Sequence, residues 1–385
     1  MKLKRKISVT TGTRAEYGIL RPVLKKISSS KKLELYLIVT GMHLSQKHGM
    51  TIDEIKKDGF KIYAKIDMLP ERDSTFFMAK TVGEGVIKFS KIFKKLKPDI
   101  NLILGDRDES LASALAAYHM NIPNAHIHGG DRTEAGIDEY NRHAITKMSN
   151  IHFVATKKSR QRVLKMGENP KYVYLTGSPS IDEVLSNRIS KKRELEDKYG
   201  IHFTGKEILL LQHPVTTETE QTEKQIRNIL NAIVKIGNTT IAIAPNSDAG
   251  NRIIFQYLKK YSQKYAFIKT YQTLPRADFL GMLNNCGVLV GNSSSGIIEA
   301  SYFAIPVINI GIRQEGRERG KNVIDVPTNS ENLIYNTILQ GIKNKNMFMN
   351  RCRYIYGSGN ASKKIVKYLE NIKLDKKLIQ KQIYY

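Results

Sequence analysis

Apolar and polar positions along this chain fall into two successive alternating series. Short apolar runs are separated by stretches of helical spacing. In the first series, strands are predicted at residues 6–10, 33–40, 61–67, 99–104, 124–128, 151–155 and 172–176. Runs such as NLIL are apolar at three consecutive positions after the asparagine, as in a strand buried on both faces. Leu20, Val23, Leu24 and Ile27 share one helical face, and further helices are predicted at 76–95, 109–119, 140–149 and 157–166. The second series predicts strands at 207–212, 239–244, 265–269, 287–291, 306–309 and 322–325. Its helices are predicted at 218–236, 250–262, 276–284, 296–303 and 331–343. Such alternation builds βαβ units around mostly parallel sheets. Over residues 186–205 the periodicity fades and charge rises, so a domain boundary is placed there. The expected fold class is α/β: a doubly wound half at 1–187, a second at 188–353, and a cleft between them. A tail at 354–385 is expected to form a basic helix through about residue 372 and to cross back onto the first half.

Length supports two cores rather than one, because 385 residues exceed what a single hydrophobic core holds. No window approaches eighteen uninterrupted apolar residues, so no membrane partner is expected. The start, MKLKRKISVTTG, lacks a long apolar stretch and reads as a first strand, not a signal peptide. Cys286 and Cys352 make neither a disulfide framework nor a metal quartet, and a cytoplasmic protein is the simplest expectation. Lys and Arg number 62 against 36 Asp and Glu, a net charge of +26. The lysines are spread over the whole chain, and no zinc-finger spacing or RNA-recognition motif accompanies them. We therefore read a solvated lysine-rich surface rather than a nucleic-acid partner. The positive field still favours a small anionic substrate.

Candidate chemistry concentrates in residues 105–147. Asp106, Asp108, Glu109, Asp131, Glu134, Asp138 and Glu139 lie there among Arg107, Arg132, Arg142, His126, His128 and His143. Two predicted strands end in this stretch, one at Gly105-Asp106 and one at Gly129-Gly130-Asp131. In open α/β sheets, ligands bind just beyond such strand ends. Carboxylates gathered there suit acid–base work. His126 and His128 alternate along a strand and, with Asp131, invite a zinc reading. No further histidine stands at a ligating spacing, so no metal is expected. Residues 12–18 hold Arg14 at a strand-to-helix turn, either an anion contact or a glycine-permitted turn with a surface arginine. Residues 291–296, GNSSSG, read as a diphosphate cradle at a helix start, with Glu299 one turn on to accept ribose hydroxyls. His213 ends the strand EILLLQ, and Asn246 follows another strand end. Arg313, Gln314, Arg317 and Arg319 follow the run PVINIG, either as ligand contacts or as loop decoration. No Walker A loop, dinucleotide fingerprint or Gly-x-Ser-x-Gly is present.

Taken in order, GTRAEYG, LGDR, HIHGG with an acid next, DEYNRHAITK, LLQHPVTTE, APNSDAG, GNSSSGIIEA and PVINIGIRQEGRERG resemble the UDP-N-acetylglucosamine 2-epimerases. The likeness spans essentially the whole chain and is nearest to the hydrolysing branch, which releases the free sugar for sialic-acid-type biosynthesis. It implies two Rossmann-like domains in the glycosyltransferase-B arrangement, with the nucleotide held mainly by the second half. It also implies that Arg14 and Arg107 approach the diphosphate, and that His213, Asn246, Ser293, Ser294, Glu299 and Arg313 bind the nucleotide. Asp106, Asp131 and Glu139 would form the acid–base set, with His213 near the leaving diphosphate. One position departs from the pattern: the family usually has Glu where this chain has Asp131, one methylene shorter.

The implied reaction converts UDP-N-acetylglucosamine and water to N-acetylmannosamine and UDP. Anti elimination gives 2-acetamidoglucal, and water then adds. No nicotinamide or other cofactor is needed, and a homodimer or homotetramer is expected. The alternatives are the hydrolysing epimerase of UDP-2,4-diacetamido-2,4,6-trideoxy-glucose (the legionaminic acid relative), a non-hydrolysing 2-epimerase, and a UDP-sugar glycosyltransferase of the same fold. The stretch GIDEYNRHAITK leans towards hydrolysis.

Overall fold

The computed structural model describes residues 3–72, 74–133, 136–186, 188–327, 330–349 and 354–385. Glu134 and Cys352 lie outside the described residues, as does Asn187 at the expected boundary.

Strands β1 (Arg5–Thr11), β2 (Leu33–Thr40), β3 (Ile62–Ile66), β4 (Ile100–Leu104), β5 (Asn124–Ile127), β6 (Ile151–Val154) and β7 (Val173–Leu175) form one sheet. Its order is β3-β2-β1-β4-β5-β6-β7, and neighbours pair in parallel. Strands β8 (Ile208–Leu211), β9 (Thr240–Ile243), β10 (Ile268–Tyr271), β11 (Val288–Gly291), β12 (Val307–Ile310) and β13 (Val323–Val326) form a second parallel sheet. That order is β10-β9-β8-β11-β12-β13. In both sheets the strand order reverses beside the first strand, between β1 and β4 and between β8 and β11. Such a switch point opens a crevice at the carboxyl ends of the strands. Every residue of β4 and β8 is buried; all are apolar except Asn101, whose side chain bonds Ser8, Ser113 and Asn124. Among the described residues, no helix is long and apolar enough to cross a membrane.

The tail joins the first core. Its helix Ala361–Asn371 buries Ile365, Val366 and Leu369 beside Ile7, Leu24 and Leu33, and Arg5 donates to the carbonyls of Leu369 and Ile372. The short helix Pro179–Val184 goes the other way, placing Ile181 and Val184 in the second core. Asp182 on that helix accepts from the backbone N–H groups of Ala361 (2.9 Å) and Ser362 (2.8 Å), which stitches the two crossings together.

Several elements depart from expectation, among them the helix expected at 140–149, which spans Ile137–Lys147, and the unexpected short helices Ile52–Lys57 and Pro179–Val184. The strand predicted at 265–269 lies at Ile268–Tyr271, because the preceding helix runs to Lys264 and Tyr265 closes it. The helix predicted at 296–303 is two pieces, Ser294–Ile298 and a 3-10 turn Ala300–Phe303, with Glu299 at their junction. The charged stretch at the boundary contains the helix Lys192–Tyr199, which buries only Leu195 and so left little apolar periodicity to read.

Candidate active site

A cavity of about 280 Å³ lies between the two sheets, walled by the segments that follow β1, β2, β4, β5, β8, β9, β10, β11 and β12. From the first half, Arg14 sits at the start of the helix Arg14–Ser28, whose N-cap Thr13 forms a capping box with Glu16. Its guanidinium pairs with Glu54 and reaches across to the hydroxyl of Thr273 at 2.6 Å. Arg107 likewise crosses the cleft, donating to Ser247 (3.1 Å) and facing Asp248 (3.4 Å).

The carboxylates are organised by Arg142, which is 1% exposed. It holds Asp106 through two nitrogens, Glu139 at 2.6 Å, and the carbonyl of Asp131 at 3.1 Å. Enclosure resists ionisation of Asp106, but Arg142, Arg317 and Arg313 overcome it and hold the carboxyl below its ordinary range. Asp131 is fixed at both oxygens: Ser159 donates to one at 2.8 Å, and Nδ1 of His128 lies 2.9 Å from the other. A carboxylate only accepts, so His128 carries its proton on Nδ1 here, and Nε2 faces the hydroxyl of Ser178 at 2.8 Å. Burial opposes the charge of Asp131, yet His128, Arg317 and Arg142 hold it well below the usual carboxylate range.

Local backbone explains this placement. β5 stops at Ile127, and His128 adopts φ +66°, a left-handed conformation rare outside glycine. Strand alternation therefore ends before His128, and the two histidines part. His126 turns to the carbonyl of Gly105 and the hydroxyl of Thr146, while His128 lines the cavity. At Gly130 (φ +74°) a Cβ would lie 2.6 Å from the carbonyl of Ser159. Glycine lets the chain graze the helix Lys157–Lys165 and bring Asp131 onto Ser159.

Asp138, at the start of the helix Ile137–Lys147, points into the cavity and meets Arg313 from the second half at 3.0 Å. Burial, then the negative charge of Asp106, push its carboxyl up to about 6 against the pull of Arg313. Glu139 turns away. It accepts from the backbone N–H of Thr133 (2.7 Å) and pairs with Arg142 and His143, and it is absent from the cavity wall. Of the expected trio, Asp106 and Asp131 line the cavity and Glu139 does not, whereas its neighbour Asp138 does.

In the second half, the backbone N–H of Asn246 donates to Nδ1 of His213 at 3.1 Å. The neutral imidazole then keeps its proton on Nε2, and burial followed by the charge of Arg313 lowers its basicity to about 3. Asn292 clasps the same strand end, its side chain accepting from the N–H of His213 and donating to its carbonyl. Gly291 (φ +126°) permits this, because a Cβ there would lie 2.0 Å from the carbonyl of Leu211. Ser293 caps the following turn, and Ser293, Ser294 and Ser295 line the cavity. Glu299 lines it too, its carboxylate held by Arg276 and Ser180. Arg313 bonds the carbonyl of Asn292 (3.3 Å), and Arg317 lies 4.0 Å from Asp131 with its buried Nε unpartnered.

The cleft therefore brings together Arg14, Asp106, Arg107, Asp131, His213, Asn246, Ser293, Ser294, Glu299 and Arg313 from the sequence reading. Asp138, Arg142 and Arg317, named in the sequence without an assigned role, line it too, and it adds Arg276, which carried no sequence signal beyond a helix start. His126 and His128, facing different ways, do not form a pair, and among the described residues no cluster of three metal-ligating side chains occurs.

Comparison with known proteins gives a consistent result. The family profile described as UDP-N-acetylglucosamine 2-epimerase matches residues 25–370. The UDP-N,N'-diacetylbacillosamine 2-epimerase (hydrolyzing) of Legionella pneumophila is 38% identical over 381 residues, covering 98% of both chains. The polysialic acid biosynthesis protein P7 of Escherichia coli is 38% identical over 341 residues, covering 88% of this chain and 85% of that protein. The crystal structure of UDP-GlcNAc 2-epimerase from Neisseria meningitidis bound to UDP-GlcNAc superimposes with a TM-score of 0.79 at 20% identity, covering 94% of this chain and 99% of that one.

Proposed function

The chain belongs to the UDP-N-acetylglucosamine 2-epimerase family, and from that premise we propose that it is a hydrolysing 2-epimerase of a UDP-linked 2-acetamido sugar. The observation that carries the reading is the contrast among three carboxyls in one cavity. Asp106 and Asp131 are held ionised by arginines and a histidine, while Asp138 is pushed up to about 6. The three carboxyls of one cavity are thereby set apart in their hold on a proton, as a division of labour between base and acid requires.

In this reading the nucleotide lies along the second half. The N–H groups and hydroxyls of the turn Ser293–Ser295, Nε2–H of His213 and the guanidinium of Arg313 receive the diphosphate. Glu299 exchanges Arg276 and Ser180 for the ribose hydroxyls. The sugar then projects between Asp106, Asp131 and Asp138. An ionised carboxylate removes the hydrogen on carbon 2 while the bond from carbon 1 to the diphosphate oxygen breaks. UDP leaves with that electron pair, held by positive groups that strengthen as charge develops. Water adds to the resulting 2-acetamidoglucal, its hydroxyl to carbon 1 and a proton to the opposite face of carbon 2. The products are the free 2-epimer and UDP.

UDP-N-acetylglucosamine is the first substrate for this site, giving N-acetylmannosamine for sialic-acid-type synthesis. A second reading, UDP-2,4-diacetamido-2,4,6-trideoxy-glucose, is favoured by one observation: the Legionella relative named for that chemistry aligns over 98% of both chains, against 88% and 85% for protein P7. Incubation with each nucleotide sugar, following free UDP and free reducing sugar together, tests both. Stoichiometric release from one sugar supports the assignment and picks the substrate. Release from neither rejects it.

A further inference from the structure

The arginines that line the cleft rest on carboxylates. Arg14 rests on Glu54, and Arg276, which must free Glu299, rests on Glu299 itself. Arg313 differs in what it is parked on, for its partner is Asp138 at 3.0 Å. Its other contact is the carbonyl of Asn292 at 3.3 Å, immediately before the serine turn, and Gln314 donates to that same carbonyl at 3.0 Å. The guanidinium thus stands between the diphosphate seat and the acid, within one side-chain swing of either.

We propose that binding of the nucleotide diphosphate draws Arg313 away from Asp138, and that Asp138 takes up a proton in exchange. A diphosphate carries more charge than one carboxylate and likewise offers paired anionic oxygens to the guanidinium fork, so it wins the guanidinium. Asp138 is then left facing Asp106 and Asp248, both negative, and Arg142 from its own helix. Arg142 cannot replace Arg313, because it is already committed to Asp106, Glu139 and the carbonyl of Asp131. Two carboxylates and a newly arrived phosphate around one part-buried carboxyl favour its neutral form. The site thereby acquires its acid only when substrate is present. The inference rests on the UDP-sugar reading and deepens it.

Calorimetric titration of the full-length protein with UDP at pH 7.5, in two buffers of different ionisation heat, tests the exchange. The expected result is uptake of about one proton per UDP bound, falling to near zero in Asp138→Asn, which still binds UDP. UDP binding without proton uptake would overturn the exchange while leaving the nucleotide site intact. Uptake that persists in Asp138→Asn and vanishes in His213→Gln would assign the proton to the imidazole and overturn it equally. Failure of the wild-type protein to bind UDP would reject the underlying reading, and the exchange with it.

Discussion

The backbone N–H of Asn246 points at Nδ1 of His213 from 3.1 Å, and this one contact fixes the tautomer of the cleft histidine. With its basicity lowered to about 3, His213 is a neutral donor across the working range rather than a titrating group. His213→Gln should therefore weaken UDP binding by roughly tenfold, the worth of one hydrogen bond to a charged group. The acidic limb of the pH–rate profile should stay where it is. A limb that moves when His213 is replaced would show that the imidazole titrates in turnover.

Asp138 and Glu139 are neighbours in sequence with opposite surroundings, one against the cavity and one against Thr133, Arg142 and His143. Asp138→Asn should lower kcat by about 10²–10⁴, the range for a lost general acid, with UDP affinity within a few-fold of wild type. Glu139→Gln should cost thermal stability more than rate. Single-turnover kinetics and melting curves on the pair separate the roles, and equal loss of rate in both would contradict the geometry.

Arg142 is the buried hub of the carboxylate set. Arg142→Ala leaves Asp106 and Glu139 without their shared cation, which should destabilise the first half by about 3–5 kcal/mol. Chemical denaturation reads this directly. A loss under 1 kcal/mol would mean the network is dispensable to the fold.

The pH dependence follows from the sign of the Asp138 shift. Its carboxyl is raised to about 6 in the free protein, so its proton is present below that pH and lost above it. Plots of kcat/KM, which report the free enzyme, should fall tenfold per pH unit above about 6. The corresponding limb in kcat should lie further to the alkaline side, because the bound diphosphate takes Arg313. Asp106 and Asp131 are held below the ordinary carboxylate range, so neither should contribute a limb near pH 6.

Much of this site was legible as strand ends. Apolar runs closing in Gly-Asp, His-Pro and Gly-Asn-Ser mark where β4, β8 and β11 stop, and parallel topology carries those ends to one crevice. What the pattern could not decide was direction within a turn. Asp138 and Glu139 differ by about 100° around a helix, and which faces the cleft depends on where that helix begins, at Ile137 after Gly136. His126 and His128 look equivalent by strand alternation until the left-handed backbone at His128 breaks it. The pairing of Arg313 with Asp138 joins residues 175 apart in the chain, and nothing local to either announces it.

The most direct test of the central claim is proton NMR of the reaction in deuterated water, with UDP-N-acetylglucosamine and the 2,4-diacetamido nucleotide sugar in separate samples. The account predicts free 2-epimer bearing deuterium at carbon 2, with one UDP released for each sugar, from one of the two substrates. A 2-epimer still attached to UDP, or a free sugar that keeps its original hydrogen at carbon 2, would contradict it.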